Sequence, residues 1–195
     1  MYNFWSYKSS ADTAATSTYK TLEINVNHPI RCTQLAIDHF RRQKLDQGLV
    51  LLVSSIAAQR PAISVPIYAA SKAAVSHFVR SMEPLEQIAN IRVNAVAPAL
   101  VRTTLWNDSG RDGWVDEQKG DFWITPDRIG EVMLEMVRKP EYAGGSVWEV
   151  GAERVRKVEA FNDPGPGTTE PGFTAANVGL AQVEFKDLFE ANFGT

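Results

Sequence analysis

From Thr18 to Leu45, apolar residues recur at threes and fours. Leu22, Val26, Ile30, Leu35, Ile37 and Phe40 mark one helical face, with some slippage in the spacing. Gly48 ends that rhythm. Leu49-Val50-Leu51-Leu52-Val53 then runs without a polar break, which predicts a strand buried on both faces of a parallel sheet. Ser54 to Pro66 reads as a loop. Helical spacing returns from Ile67 to Ile88, where Ala69, Ala70, Ala73 and Ala74 offer close-packing faces and Pro84 predicts a late kink. Ile91 to Val96 alternates and predicts a second strand. Pro98 to Gly120 reads as a long polar loop. Thr125-Pro126-Asp127 supplies an N-cap and a proline at the first helical position, opening a helix to about Arg138. Gly144-Gly145 turns into a third strand, Ser146 to Val150.

Helices and strands therefore alternate, which predicts an α/β fold: a parallel sheet with flanking helices and right-handed crossovers. The ends have a different texture. Residues 1–17 are rich in Ser, Thr and Ala, with Phe4, Trp5 and Tyr7 at the start, and read as an irregular arm. Residues 18–160 hold the α/β domain. Residues 161–195 form a tail, with Pro, Gly and Thr concentrated from Asn162 to Gly172 and an amphipathic segment, Val183 to Phe193, expected to dock.

Composition narrows the function classes. With 195 residues, 44% of them hydrophobic, the chain is long enough for one domain with a real core and not comfortably for two domains. A net charge of -3 gives no general attraction to nucleic acid, and no nucleic-acid partner is expected. No apolar run reaches membrane-spanning length, so no membrane partner is expected. Met1 to Ser10 lacks the basic-then-apolar order of a signal peptide. The single cysteine, Cys32, can make no internal disulfide, which fits a reducing compartment. A cytoplasmic location is the expectation. His28, His39 and His77 are scattered, with His39 and His77 expected on helix surfaces, and no metal site is expected.

Candidate chemistry begins at Ser55, just past the carboxyl end of the first strand, where open α/β sheets bind their ligands. Tyr68 and Lys72 follow four residues apart at the start of a helix, so both project from one face. A lysine ammonium beside a phenol favours the phenolate. A tyrosine so placed can exchange a proton with a substrate hydroxyl or carbonyl oxygen, and a nearby serine hydroxyl can orient that oxygen. Pro29 adds a further element. It has no N–H, so the carbonyl of Asn25, four residues back, loses its helical partner.

These residues resemble the short-chain dehydrogenase/reductase family from about Tyr19 to Gly151. Leu51-Leu52-Val53-Ser54-Ser55-Ile56-Ala57-Ala58 is similar to the family's catalytic-serine strand. Tyr68-Ala69-Ala70-Ser71-Lys72-Ala73-Ala74 matches its YxxxK signature, and Ile91-Arg92-Val93-Asn94-Ala95-Val96-Ala97-Pro98 its strand before a proline-glycine turn. The texture resembles hydroxyprostaglandin-dehydrogenase-like members found in fungal metabolism. The resemblance implies the C-terminal half of a Rossmann-like fold. It implies Tyr68 as general acid/base, Lys72 as the group that tunes Tyr68 and grips a nicotinamide ribose, and Ser55 as holder of the substrate oxygen. Asn25 matches the fourth catalytic residue, whose main-chain carbonyl holds a relay water. Val101 and Thr103 match positions that touch the nicotinamide carboxamide. The helices at 18–45 and 67–88 match the family's dimer interface, which implies a homodimer.

Three departures weigh against redox chemistry. The family's Gly-rich TGxxxGxG turn and its Asn-Asn-Ala-Gly segment have no match, and Ala99 stands where glycine usually follows Pro98. The expectation is therefore acid/base chemistry on a small molecule, of the secondary-metabolite kind, by a non-redox isomerase, dehydratase, lyase or cyclase with no cofactor. One alternative is an NAD(P)-dependent oxidoreductase whose dinucleotide-binding half is missing or comes from another chain. Another is a non-catalytic partner of a longer relative. The strand at Leu49–Val53 becomes a sheet edge that needs cover. Trp106, Trp114 and Trp123, with Phe122, are expected to form an aromatic lid over the substrate, the plain alternative being a small satellite core.

Overall fold

The computed structural model describes residues 19–59, 62–108, 117–119, 122–159 and 191. The arm at 1–17 lies outside the described residues, and so does the tail at 161–195 apart from Ala191.

The first helical segment contains α1 (Lys20–Leu22), a π-helical turn (Glu23–Asn27) and α2 (His28–Arg42). The uniform helix expected across 18–45 is thus interrupted, and Pro29 gives the reason. An α-helical turn here would leave the Asn25 carbonyl facing a proline ring with no N–H. The backbone instead widens ahead of the proline, and the His28 N–H bonds to the carbonyl of Glu23. Strand β1 (Gly48–Val53) follows. Gly48 lies so close to the Phe40 ring that any Cβ would collide with it.

A 3₁₀ turn (Ile56–Ala58) leads to α3 (Pro66–Ser81) and α4 (Pro84–Ala89). The single kinked helix expected from Ile67 to Ile88 is two helices. Proline cannot donate to the preceding turn, so α3 ends and Pro84 starts a new helix, where its missing N–H costs nothing. Asn90, left-handed at φ 54°, closes α4. Then come β2 (Ile91–Pro98), α5 (Thr104–Asp108), a 3₁₀ turn (Glu117–Lys119), α6 (Pro126–Arg138), β3 (Val147–Val150) and β4 (Val155–Lys157). Among the described residues, the expected loop from Pro98 to Gly120 therefore carries two short helical pieces. Thr125 caps α6 through its side chain, as its place before Pro126 predicts.

The sheet order is β1-β2-β3-β4, parallel through β3 and antiparallel at β4. The expected purely parallel sheet gains this last strand through a tight turn at Gly151. Alternate residues of β2 supply the two cores. Ile91, Val93, Ala95 and Ala97 pack with Ile37 of α2, Val75 and Val79 of α3 and Leu85 of α4. Val96 packs on the other face with Ile129, Val132 and Met136 of α6. Each such buried Ile, Val, Leu or Met side chain contributes about 1.5–3 kcal/mol of burial free energy. β1 differs from its predicted two-sided burial. Among the described residues it pairs with β2 alone, most of its residues are half-buried, and Val53 is 50% exposed. His39 and His77 are exposed on α2 and α3, as expected. Among the described residues no helix is long and apolar enough to cross a membrane.

Candidate active site

Two adjacent serines end β1 and serve different purposes. The Ser54 N–H donates to the Val96 carbonyl at 2.7 Å. Its buried hydroxyl donates to the Lys72 carbonyl at 3.0 Å and shares a 2.7 Å hydrogen bond with Ser76 Oγ. Ser54 therefore stitches the end of β1 to α3. Ser55, also buried, accepts a 3.2 Å hydrogen bond from the Ala57 N–H and caps the 3₁₀ turn. A hydroxyl has one donor and two acceptor sites, so this bond leaves the Ser55 O–H able to donate.

Tyr68 and Lys72 lie in the first two turns of α3, on one face. Lys72 Nζ stands 5.7 Å from the centre of the Tyr68 ring and donates to the Val53 carbonyl at 2.8 Å. That carbonyl belongs to the last residue of the edge strand. Burial disfavours the ammonium and holds the Lys72 pKa below the usual lysine value. One carbonyl engages only one of the three ammonium protons, so Lys72 keeps donor capacity toward an incoming group.

Asn25 lies half-buried in the π-helical turn. Its Nδ2 donates to Ser71 Oγ at 3.0 Å, and the fully buried Ser71 hydroxyl donates to the Tyr68 carbonyl at 2.7 Å. The sequence pointed to the main chain of Asn25 and missed this side-chain link. Its only sequence signal is a small polar residue, Ser71, placed between Tyr68 and Lys72.

Val101 and Thr103 stand past the end of β2, the strand beside β1. Val101 forms a parallel bridge with Ile124, and its carbonyl accepts from Trp106 Nε1 at 2.9 Å. Thr103 is exposed, and its carbonyl accepts the Trp106 N–H at 3.2 Å. Trp106 and Trp123 meet edge to face at 5.3 Å. The Arg102 guanidinium lies 5.4 Å from the Trp123 ring and pairs with Glu117 at 3.2 Å. These two of the expected lid tryptophans are thus together. Trp114 lies outside the described residues, and Phe122 is 67% exposed.

One more contact was not legible in the sequence. Gln59, just after the Ser55 turn, accepts from Arg156 of β4 at 3.2 Å across 97 residues of chain. Arg156 also grips Glu149 of β3 with two hydrogen bonds, at 3.0 and 2.7 Å. The Ser55 turn is therefore tied to the opposite edge of the sheet.

Comparison with known proteins bears on the family and the fold. The profile of a family described as "short chain dehydrogenase" matches residues 6–113, more than half of the chain. A short-chain dehydrogenase/reductase of Penicillium rubens, prx6, is 38% identical over 85 residues, covering 43% of this chain and 28% of that protein. Human 15-hydroxyprostaglandin dehydrogenase [NAD(+)] is 34% identical over 117 residues, covering 58% and 42%. Among solved structures, a 7α-hydroxysteroid dehydrogenase complexed with NADH and 7-oxo glycochenodeoxycholic acid superposes with a TM-score of 0.58 at 28% identity. That match covers 68% of this chain and 53% of the other. The chain thus spans less than half the length of these two curated relatives.

Proposed function

The chain belongs to the short-chain dehydrogenase family, and from that premise we propose that it serves the oxidation of a hydroxyl, or the reduction of a carbonyl, on a small molecule. The observation that carries this reading is the Lys72 ammonium, anchored on the Val53 carbonyl beside the Tyr68 ring. Tyr68 passes a proton to or from the substrate oxygen. The Lys72 charge stabilises the phenolate this leaves, and half-burial keeps that charge less screened than in water. Ser55 donates its O–H to the same oxygen while the Ala57 N–H orients the hydroxyl. Asn25 lies in the π-helical turn, and its side chain reaches Ser71 between Tyr68 and Lys72.

The expectation of non-redox chemistry without a cofactor finds no support among the relatives. The relatives are named as dehydrogenases and reductases, and the similar 7α-hydroxysteroid dehydrogenase is complexed with NADH. The residues of this site fit the nicotinamide end of such a cofactor. Lys72 would hold the ribose with the donors that Val53 leaves, and Val101 and Thr103 would border the carboxamide. When bound, the nicotinamide supplies or takes the hydride. Among the described residues no glycine-rich turn joins a strand to a helix.

Calorimetric titration of NADH and NADPH into the full chain tests this reading. Binding that weakens at least about tenfold in Lys72→Met, a loss of roughly 1.4 kcal/mol, supports it. Turnover of a carbonyl substrate with no dinucleotide present would restore the non-redox alternative. A chain without binding or turnover that pairs with a longer relative would favour the non-catalytic one. We also propose a homodimer through the helices at 18–45 and 67–88. Ile24 and Leu35, 57% and 50% exposed, support that pairing; sedimentation as a monomer would refute it. Trp106 and Trp123 are proposed to border the substrate.

A further inference from the structure

The turn of α3 that carries Tyr68 and Lys72 is held from two sides. On the sheet side, Ser54 Oγ donates to the Lys72 carbonyl and Lys72 Nζ donates to the Val53 carbonyl. On the other side, the grip comes from the π-helical turn through Asn25 Nδ2 and Ser71 Oγ. Ser71 is fully buried, so its hydroxyl must find partners within the protein. It donates to the Tyr68 carbonyl in its own helix, a local bond that many helical serines make. Its remaining acceptor capacity is used by an amide from a segment 46 residues away. That second bond is not required by the helix. It joins two elements, and it lands between the two residues of the proton-handling pair.

The π-helical turn makes this reach possible. Widening the helix ahead of Pro29 changes the angular position of every residue in the turn relative to a regular α-helix. Pro29 thereby has a consequence beyond the Asn25 carbonyl: in the resulting turn the Asn25 side chain meets α3.

We propose that Ser71 is a positioning residue, which takes the Asn25 amide as its anchor and fixes the Tyr68–Lys72 turn against the end of β1. The inference rests on the reading of Tyr68 and Lys72 as the acid/base pair. It assigns a role to the side chain of Asn25 that is separate from its main chain.

Competitive acetylation of Lys72 across a pH series, read by peptide mass spectrometry on the full chain, tests the proposal without any substrate. In the wild type, the Lys72 midpoint lies below the ordinary lysine value of 10.5. Ser71→Ala lets the turn shift and the ammonium meet water, so the midpoint rises toward 10.5. Asn25→Ala moves it in the same direction. The double variant moves it no further than the larger single change, because both remove one link. A Ser71→Ala protein with a lower melting temperature and an unmoved Lys72 midpoint would reduce Ser71 to a packing residue and overturn the proposal. Additive shifts in the double variant would also overturn it. Failure of the wider reading has a different signature: Tyr68→Phe then leaves turnover unchanged, whatever Lys72 does in acetylation.

Discussion

β1 and β2 are neighbouring parallel strands of similar apolar texture, yet they are held in different ways. All but one of the residues in β2 are buried, between α2, α3 and α4 on one face and α6 on the other. β1 is half-buried along most of its length, and its last residue, Val53, is 50% exposed. Packing fixes β2. The end of β1 is fixed by polar contacts: Ser54 to Val96, Lys72 and Ser76, and Lys72 to Val53. A candidate site needs polar groups that can also turn toward a ligand. The Ser54 and Ser76 hydroxyls are buried there, and their hydrogen bonds offset the cost of that burial.

This contrast can be broken from the β2 side first. Met136→Ala, at the fully buried contact between α6 and β2, is expected to cost about 2–5 kcal/mol in urea unfolding. The site contacts would survive that change in the molecules that remain folded. Ser54→Ala acts at the other region. It strips the Lys72 carbonyl and Ser76 of a buried partner, for an expected loss of about 1–3 kcal/mol. Its signature is that activity declines along with stability, whereas Met136→Ala should spare activity per folded molecule. Arg156→Met, which unties Gln59 from β4, should cost less than about 1 kcal/mol because the pair with Glu149 is partly exposed. A lower kcat with nearly unchanged melting would place its effect on the Ser55 turn.

The smallest effect is a dependence on pH. Burial lowers the folded-state pKa of Lys72 below 10.5, so in that window the unfolded chain binds more protons than the folded one. Stability relative to Lys72→Met should therefore rise as pH climbs from the lowered midpoint toward 10.5. Activity should fall over the same range, because the ammonium is lost. Urea unfolding and turnover measured at the same series of pH values check both signs.

Regular periodicity made much of this fold legible in the sequence. The apolar run at Leu49–Val53, the N-cap at Thr125 and the helical pair Tyr68 and Lys72 each carry a local pattern, and each appears where that pattern predicts. Pro84 was legible as a disturbance but not as a complete break, because the choice depends on how α4 packs under β2. Strand β4 has only three residues and no periodicity to read. Its pairing with β3 is set by the turn at Gly151. Asn25 to Ser71 and Gln59 to Arg156 join residues 46 and 97 positions apart, and no local spacing encodes such contacts. The openness of β1 depends on which strands lie beside it, a property of the sheet rather than of the run itself.

The most direct test of the proposed oxidoreductase site is turnover of a panel of secondary alcohols and ketones with NAD(P)(H), wild type against Tyr68→Phe. The site described here predicts measurable hydride transfer in the wild type and a loss of about 10²–10⁴-fold in the variant, with unfolding nearly unchanged. Equal turnover by the two proteins would contradict it.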